Sequence, residues 1–599
     1  MDLEKYNPFG AFREHQERVI QEIIEIEETD IQNIILKAPV ASGKSLIAYT
    51  VARYLQAEQN KKSLIFTSTK LLQDQYLRDF PQLKTVKGRN NFECLNNQRT
   101  CDKGSCKEIC NFKCPNAIEF RDGLSSLYET QSGEVCLYWK QKTEAMWAPI
   151  SILNYKFGLL DKNYVHHFIP RDFVIFDEAH NLEKEIMDFY ETEVSPNQIL
   201  SDIDYKININ LKDINQWSEE FFEIAFKYEE EAEKKEAEGE KKQSDAFKSR
   251  KEKFLMTAGL MSDNPENWVI DMNNNNLLFK PILINEYADS SLLGFGKTRL
   301  FMSGSILKNN SFCETLGIED DYHIIEVPSI ISPNNRPIYK EYAGSMSMKN
   351  RDENAPSIVN KILEIVARYP NDKGVVHTYT YVIANILQQY LCDDDRFIFH
   401  NTQDRQIQTQ KFIESDAPKV FVSPYSFEGV DFKGDLARFQ IIAKNPFPNM
   451  FSNQQYQERD KISDYHWIFE QRCKVLSQMY GRIVRDPNDY GDTYLIDSDI
   501  ETLLGPSSLV TGYMFEGFVD SWMNKEIIIV DETKLSPDKR KSYANERFNE
   551  QIILEEIKKM HNPTVVKLVE LYKNLPNDAY KEVRPVCERL LNNKAISLR

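Results

Sequence analysis

The stretch NIILKAPVASGKSLIAYTVARYL, residues 33–55, carries the strongest indication of the fold. An apolar run leads into a loop ending in Gly43-Lys44-Ser45, and a segment with helical periodicity follows. In such a strand–loop–helix unit, backbone N–H groups and the start of the helix cradle a phosphate. The pattern predicts nucleotide binding, with Lys44 on the terminal phosphates and the Ser45 hydroxyl on Mg²⁺. The predicted loop comprises Ala38, Pro39, Val40, Ala41, Ser42, Gly43, Lys44 and Ser45.

A second motif, FVIFDEAH at residues 173–180, is an apolar strand that ends in two acidic residues. Phosphoryl transfer needs a ligand for the metal ion and a group that orients the attacking water. We assign the first role to Asp177 with Mg²⁺ and the second to Glu178. His180 is expected to couple the nucleotide to a neighbouring domain.

A third motif, QMYGRIVRDPNDYG at residues 478–491, spaces a glutamine and two arginines at i, i+4 and i+7. A helix would bring Gln478, Arg482 and Arg485 to one face. The two arginines would stabilise the charge of the transition state, and the glutamine would contact the phosphate or the water. A helix of surface salt bridges is the alternative for this motif taken alone.

Composition sets the class of protein. The chain has 599 residues, of which 41% are hydrophobic and 28% charged, so a wholly disordered chain is excluded. The net charge of −18 argues against a protein that coats nucleic acid through its overall charge, but it allows a local basic channel. No apolar run approaches the ~18 residues of a membrane helix, and the N-terminus MDLEKYNPFG does not resemble a secretory signal. We expect a cytoplasmic, nucleoid-associated protein, or a nuclear one in a eukaryote, that binds no membrane.

Apolar strands alternate with amphipathic helices in two regions, which predicts an α/β fold with two parallel sheets. In the first region the predicted strands are Asn33–Lys37, Ser63–Thr67, Asp172–Phe176 and Arg299–Met302. In the second region they are Gly374–His377, Arg396–His400, Lys419–Val422, Phe439–Ala443 and Thr493–Ile496.

Two stretches interrupt the first region. Residues 90–145 contain six of the ten cysteines, which in a reducing compartment indicate a metal or iron–sulfur site rather than disulfides. Residues 186–280 have a helical pattern and predict a solvated hairpin, with i,i+4 pairs Glu230/Lys234 and Glu231/Lys235.

The motifs APVASGKS and DEAH together resemble those of superfamily 2 helicases. Arg13 and Gln16, in FREHQERVI, resemble the family's glutamine motif and are nucleotide-binding candidates. Further blocks follow in the family's order: TSTKLLQDQ at 67–75, FMSGSIL at 301–307, HTYTY at 377–381 and SFEGVDFKGD at 426–435, which lacks one residue that the family often has. By this resemblance FMSGSIL couples hydrolysis to motion, and the strand contacts come from Lys70, Gln73, Thr378 and Tyr379.

The cysteine region narrows the resemblance. KGRNNFEC at 87–94 resembles the entry, and CLYWKQKTEAMWAPISILNY at 136–155 the exit, of the iron–sulfur domain of XPD and DinG helicases. This resemblance implies two RecA-like motor domains, with a cluster domain and a helical arch inserted in the first. The predicted boundaries are 1–89, 146–185 and 281–340 for the first motor domain, 90–145 for the cluster domain, 186–280 for the arch, 341–530 for the second motor domain and 531–599 for a helical C-terminal segment.

The resemblance also implies the cofactors ATP, Mg²⁺ and a [4Fe–4S] cluster. Cys94 and Cys136 match the family's outer cluster ligands. The inner pair must come from Cys101, Cys106, Cys110 and Cys114, of which we assign Cys106 and Cys114. Cys106 with Cys110 fits nearly as well, and the two extra cysteines leave a Cys₄ zinc site open.

The implied activity is that of a monomeric ATP-dependent DNA helicase, an ATP hydrolase that translocates 5′→3′ on single-stranded DNA and separates forked DNA in repair or replication. The polarity rests on the family alone. One alternative is a superfamily 2 RNA helicase or translocase with a zinc module. Another is an ATPase-inactive strand-binding scaffold, against which the intact catalytic candidates argue.

Overall fold

The computed structural model describes residues 1–39, 41–95, 98–104, 136–273, 275–306, 311–319, 321–424, 432–450, 453–463, 466–504, 516–523, 527–529, 554, 557–558 and 596–598. The chain forms two compact units. The first comprises Met1–Val327 and Phe447–Gln471, and the second comprises Pro328–Pro446 and Arg472–Arg599. No helix within the described ranges is both long and apolar enough to cross a bilayer.

The strands are numbered in chain order. They are β1 (Asn33–Lys37), β2 (Ser63–Thr67), β3 (Lys84–Thr85), β4 (Ile150–Asn154), β5 (Arg171–Asp177), β6 (Thr192–Val194), β7 (Trp268–Asn273), β8 (Asn276–Pro281), β9 (Gly296–Ser303), β10 (Tyr322–Glu326), β11 (Ile338–Gly344), β12 (Gly374–His377), β13 (Phe397–Ile398), β14 (Val420–Ser423), β15 (Phe439–Ile442), β16 (Asp492–Asp497), β17 (Ile527–Ile529) and β18 (Ile596–Leu598). Each strand that the sequence predicts is present, with small shifts at its ends.

The first unit is built on a seven-stranded sheet in the order β10-β1-β9-β5-β2-β4-β3, with parallel pairing throughout. The sequence did not predict β3, β4 and β10. The sheet is covered by helices, because a parallel sheet must bury both faces. These helices are Gln16–Glu27, Lys44–Gln59, Lys70–Asp79, Leu137–Trp147, Tyr155–Leu160, Leu182–Tyr190, Asn285–Ala288 and Ser311–Thr315.

Alternating side chains of β2 enter two different cores. Leu64 and Phe66 belong to a large hydrophobic cluster, while Ile65 belongs to the cluster on the other face. The larger cluster continues into the inserted hairpin through Trp217 and Phe221, both of which are buried. The arch insertion and the first sheet therefore share one hydrophobic core.

The arch insertion is a helical hairpin with a small sheet. Its helices Pro196–Ile203, Ile214–Ala237 and Lys241–Asp263 confirm the predicted hairpin, but β6-β8-β7 adds an antiparallel sheet that the helical prediction missed. The predicted i,i+4 charge pairs are replaced by i,i+3 pairs. Lys234 Nζ lies 3.0 Å from Glu231 Oε2, and Lys227 Nζ lies 2.9 Å from Glu230 Oε2.

The second unit has a six-stranded parallel sheet in the order β11-β16-β15-β12-β14-β13. The sequence did not predict its edge strand β11, which begins at Ile338. Strands β17 and β18 pair in antiparallel fashion, so residues 596–598 are extended where a helical segment was predicted; most of 531–599 lies outside the described residues. The helices are Arg351–Ala367, Tyr381–Leu391, Arg405–Glu414, Ile500–Leu504 and Glu516–Met523.

The segment Phe447–Gln471 belongs to the first unit although it follows β15 in the chain. It contains the helix Gln454–Ile462 and the start of the helix Trp467–Tyr480. The backbone N–H of Gln454 donates to Asp271 Oδ1 at 2.9 Å, which ties the segment to β7 of the arch insertion.

Candidate nucleotide-binding and catalytic site

The predicted phosphate loop connects β1 to the helix Lys44–Gln59. Gly43 precedes this helix with φ = +75°, a conformation that favours glycine, and a Cβ at this position would lie 2.1 Å from Gln16 Nε2. No described side chain caps the helix start, so its first N–H groups point out of the helix as an anion site requires. Val40 lies outside the described residues.

Arg13 and Gln16 both contact the backbone of this loop. The Gln16 side-chain amide donates to the carbonyl oxygens of Ser42 at 3.1 Å and Gly43 at 3.4 Å. The Arg13 guanidinium donates to the carbonyl oxygen of Ala41. The structure thus brings the two upstream residues to the loop, and their contact with a nucleotide stays a prediction.

Lys44 faces the acidic end of β5. Its Nζ donates to the carbonyl oxygen of Ala38 at 3.4 Å and lies 4.0 Å from Glu178 Oε1. The sheet order explains this proximity, because β1 and β5 flank β9 and all three strands end at the same edge. Lys44, Asp177 and Glu178 therefore form one cluster.

Asp177 is buried, with 2% of its surface exposed, and hydrogen-bond donors surround it. Tyr76 Oη donates to its Oδ2 at 2.8 Å, and the N–H of Glu178 donates to its Oδ1 at 2.9 Å. Tyr155 Oη donates to its carbonyl oxygen at 2.7 Å. Burial, and next the charge of Glu178, raise the pKa of this carboxyl above its ordinary value.

The block after the acids makes the contact expected of a coupling element. His180 Nδ1 lies 2.8 Å from Ser303 Oγ, in the FMSGSIL block, and 3.3 Å from Glu178 Oε2. The N–H of Ala38 donates to the carbonyl oxygen of Ser303 at 3.0 Å. The coupling block thus touches both the acidic motif and the phosphate loop; its Leu307 lies outside the described residues.

The third motif lies in the second unit, and one prediction about it is wrong. The helix Trp467–Tyr480 ends two residues before Arg482, so Gln478, Arg482 and Arg485 do not share one helix face. Tyr480 anchors the helix end, because its Oη lies within hydrogen-bonding distance of the carbonyl oxygen of Arg336, at 2.9 Å, and of Ser521 Oγ, at 2.6 Å. Arg482 is buried, with 8% of its surface exposed.

A neutral network supports this motif from the end of β12. His377 Nε2 lies 3.0 Å from Gln440 Oε1, and the Gln440 amide donates to the carbonyl oxygen of Tyr480 at 3.0 Å and to Thr493 Oγ1 at 2.9 Å. Burial lowers the pKa of His377 to about 4, so the ring is neutral. The network links the HTYTY block to the end of the third motif's helix. Of SFEGVDFKGD, residues 426–431 lie outside the described residues.

The predicted strand contacts divide into two classes. Lys70 is exposed and Tyr379 is half-buried, with φ = +60°. Gln73 and Thr378 are completely buried, and the Gln73 amide donates to the carbonyl oxygens of Val86 and Ile152. Both side chains are thus enclosed by the protein in this structure, and their contact with a strand stays a prediction.

Three cysteines of the cluster region lie among the described residues: Cys94, Cys101 and Cys136 are all buried and not in disulfides. A Cβ on Gly104 would lie 2.9 Å from Cys94 Sγ and 3.1 Å from the Cys101 carbonyl oxygen, so the turn packs tightly on this sulfur. The described residues include no group of three or more metal-binding side chains. Cys106, Cys110 and Cys114 lie outside them.

Sequence reasoning missed the residues that support the site from a distance. Tyr76, Tyr155 and Gln440 carry no motif that points to the nucleotide. Tyr155 stands in the Asn-Tyr pair noted at the exit of the cysteine region, but its contact with Asp177 spans 22 residues. Only the fold reveals these contacts.

Comparisons with known proteins agree with this arrangement. A family model for the helicase C-terminal domain matches residues 365–507, and one for the res subunit of type III restriction enzymes matches residues 10–212. A probable ATP-dependent helicase of Methanocaldococcus jannaschii is 22% identical over 631 residues, covering 85% of this chain and 95% of that protein. The 3′-5′ exonuclease DinG of Staphylococcus aureus is 24% identical over 244 residues, and the match covers 38% of this chain but only 27% of DinG.

Two solved structures support the fold. A structure titled XPD helicase has a TM-score of 0.59 and 17% identity, and the match covers 84% of this chain and 99% of that one. The S. tokodaii Xpd4 structure has a TM-score of 0.51 and 16% identity, with 83% and 98% covered. The matched helicase domains, the fold and the motifs in their order agree: they support an ATP-dependent helicase that resembles the XPD/DinG-like helicases of superfamily 2.

Proposed function

We propose that this helicase translocates 5′→3′ on single-stranded DNA and unwinds forked DNA as a monomer, with a structural [4Fe–4S] cluster beside the strand path. The observation that carries the ATPase part is the cluster of Lys44, Asp177 and Glu178 at one edge of the first sheet. The polarity and the cluster are inferred from the motifs shared with XPD and DinG helicases.

Residues of the first unit have separate roles in ATP hydrolysis. The phosphate loop and Lys44 hold the terminal phosphates, while Ser45 and Asp177 hold Mg²⁺, which neutralises phosphate charge when bound. Glu178 orients the water and accepts its proton, since its carboxylate is partly exposed and faces Lys44. Gln478, Arg482 and Arg485 take the phosphate-sensing roles that their motif has in the family.

The contact between His180 and Ser303 supplies a route from hydrolysis to movement. The Ser303 hydroxyl also accepts the N–H of Ser305 at 2.9 Å, so the rotamer of one serine sets two contacts. A change of charge at Glu178, 3.3 Å from the His180 ring, would alter the first of them.

The described cysteines fit an iron–sulfur cluster, because Cys94 and Cys136 are buried thiols at the two ends of the insertion. Either would act as a thiolate ligand, with a further pair from Cys101, Cys106, Cys110 and Cys114. Cys101 is buried beside the turn that packs on Cys94. It is therefore an alternative to Cys106 as an inner ligand of the cluster. The cluster would stiffen this insertion; no redox step is assigned to it.

The protein would act in DNA repair or replication, in the cytoplasm at the nucleoid or in a nucleus. Of the predicted strand contacts, Lys70 is exposed and Tyr379 is half-buried. Contacts of this kind hold the phosphate backbone without reading sequence, so we expect salt-sensitive and sequence-tolerant binding.

The first test uses tailed duplexes. Wild-type protein should unwind a duplex with a 5′ single-stranded tail and leave a 3′-tailed duplex intact, and Lys44→Ala should abolish both unwinding and ATP hydrolysis. Hydrolysis by Lys44→Ala at the wild-type rate would overturn the motor assignment. Unwinding only from 3′ tails would overturn the polarity and leave the ATPase intact.

The second test measures iron, acid-labile sulfide and zinc in anaerobically purified protein. About four irons with matching sulfide are expected per chain. Zinc without iron, together with ATPase stimulation by RNA but not by DNA, would favour the RNA helicase instead.

A further inference from the structure

Tyr76 lies where two parts of the molecule with different tasks meet. It belongs to the helix Lys70–Asp79, which starts in the TSTKLLQDQ block that resembles a strand-contacting element. Its side chain is completely buried, and its hydroxyl reaches the nucleotide site. Lys70, which is exposed, is six residues earlier on the same helix, a rise of about 9 Å.

The Tyr76 hydroxyl contacts one predicted Mg²⁺ ligand and lies near the other. It donates to Asp177 Oδ2 at 2.8 Å, and the side chain of Ser45 is close enough to interact with it.

Packing alone does not account for this hydroxyl. The ring of Tyr76 belongs to the hydrophobic cluster on one face of the first sheet and lies 6.0 Å from the ring of Phe80. A phenylalanine would fill the same space without bringing a polar group into it. The oxygen is tolerated because it meets a buried carboxylate that needs donors.

We propose that Tyr76 is a positioning residue that fixes Asp177, next to Ser45, for Mg²⁺ and ties the position of this carboxylate to the strand-contacting helix. The inference rests on the proposed roles of Asp177 and Ser45. A shift of the helix when a strand binds would move the Tyr76 hydroxyl, and with it the carboxylate oxygen that it holds. Strand binding and metal binding would then be coupled through one hydrogen bond.

The test measures Mn²⁺ binding, with Mn²⁺ as the probe, by electron paramagnetic resonance in the presence of ADP. Tyr76→Phe keeps the ring and removes the donor, so we expect Mn²⁺ affinity to fall about 10-fold, as for other partners of metal ligands. Tyr49→Phe is the matched control. Tyr49 is also buried in the same cluster, but its hydroxyl donates to Gln82 Oε1 at 3.1 Å instead of to Asp177.

Coupling is measured by repeating the titration with oligothymidylate. The wild-type protein and Tyr49→Phe should bind Mn²⁺ at least about 3-fold more tightly with the strand than without it, and Tyr76→Phe should lose most of this gain. Circular dichroism should show the same helix content in all three proteins. A merely structural role for Tyr76 would lower stability without changing the ratio of the two affinities.

Asp177→Ala separates the two hypotheses. If Asp177→Ala loses Mn²⁺ and Tyr76→Phe binds it like wild type, the inference about Tyr76 is overturned and the proposed site stands. If Asp177→Ala also binds like wild type, Asp177 is no metal ligand, and both the assigned role and this inference fail. If Tyr76→Phe binds Mn²⁺ weakly but oligothymidylate raises its Mn²⁺ affinity as much as in the wild type, the proposed coupling is overturned.

Discussion

In each parallel sheet, the fourth strand in the sheet order ends at a buried titratable side chain, but the two side chains are of opposite kinds. In the first unit, β5 ends at Asp177, an acid held by two tyrosine hydroxyls and a backbone N–H. In the second unit, β12 ends at His377, a neutral ring held by Gln440. Both side chains are buried, and burial favours the neutral form of each by shifting their pKa values in opposite directions.

The comparison shows that the fold sets the position of the strand end, and that the residue placed there determines what the position does. A carboxylate at the end of a parallel strand, beside a phosphate loop, serves a metal ion and chemistry. A neutral histidine–glutamine pair at the corresponding place serves to hold backbone, here the end of the helix before Arg482. Variants that break one strand end should therefore affect catalysis, and variants of the other should affect stability.

The largest effect is expected at the charged strand end. Glu178→Gln removes the group that we propose accepts the proton of the attacking water, so kcat for ATP hydrolysis should fall at least about 100-fold. Nucleotide affinity should change little, because the phosphate loop and Lys44 remain. Steady-state hydrolysis and ADP binding measure the two effects. A loss of less than 5-fold in kcat would show that another group activates the water.

A smaller effect, on stability alone, is expected at the neutral strand end. Gln440→Leu leaves the His377 ring, the Tyr480 carbonyl oxygen and the Thr493 hydroxyl without this partner, which should cost about 2–3 kcal/mol. Amide hydrogen exchange of β12 and β15 measures the loss, and protection of β5 should not change. Gln410→Leu is the control, because its amide is exposed and pairs only with the surface Glu414, so a change within ~0.5 kcal/mol is expected.

The two strand ends should also respond differently to acid. The pKa of folded His377 is about 4, below its ordinary 6.5, so as pH falls through 6.5 the unfolded state gains its proton first. The second unit should keep this stability above pH 6.5 and lose about 2 kcal/mol of it by pH 5. In metal-free protein the raised pKa of Asp177 has the opposite effect, because the folded first unit takes up this proton first and gains stability as the pH falls. Protection of β12 that is the same at pH 7 and pH 5, after correction for intrinsic exchange, would contradict the assignment; His377→Asn should remove the slope.

The smallest effect tests the coupling contact within the first unit. Ser303→Ala removes the hydroxyl 2.8 Å from His180 Nδ1, a loss of about 1 kcal/mol. We expect strand-stimulated hydrolysis to fall about 5-fold and unstimulated hydrolysis to change by less than 2-fold. An equal fall in both rates would mean that the contact serves the chemistry rather than its coupling to a strand.

The sequence predicts those parts of the fold and site that depend on neighbouring residues. The apolar strands, the loop before Lys44 and the acids at 177–178 are local patterns, and each lies where it was predicted. Residues that act across the fold were not predictable in this way. Tyr76 and Asp177 are 101 residues apart, and no periodicity links a tyrosine on a surface-like helix to a carboxylate on a strand.

The errors have physical causes as well. The helix with Gln478 was expected to continue to Arg485, but Gly481 is a poor helix residue and Tyr480 is tied to Arg336 and Ser521. In this case a long-range contact outweighed the local pattern. Gln73, from a strand-contacting block, donates its amide to the carbonyl oxygens of Val86 and Ile152, and its role at a strand stays a prediction.

The segment Phe447–Gln471, where the chain returns to the first unit, limits where the protein can be cut into fragments. Arg459 donates to Glu183 at 3.4 Å and to Thr315 Oγ1 at 3.0 Å, and Trp467 Nε1 donates to Glu183 at 3.2 Å. A fragment cut at Val327 would expose the surfaces that this segment covers. It would also leave Glu183, which lies three residues after His180, without these donors. The first unit is thus completed by chain that is made after residues 328–446 of the second unit, so during synthesis the first unit stays incomplete until about residue 471 has been added.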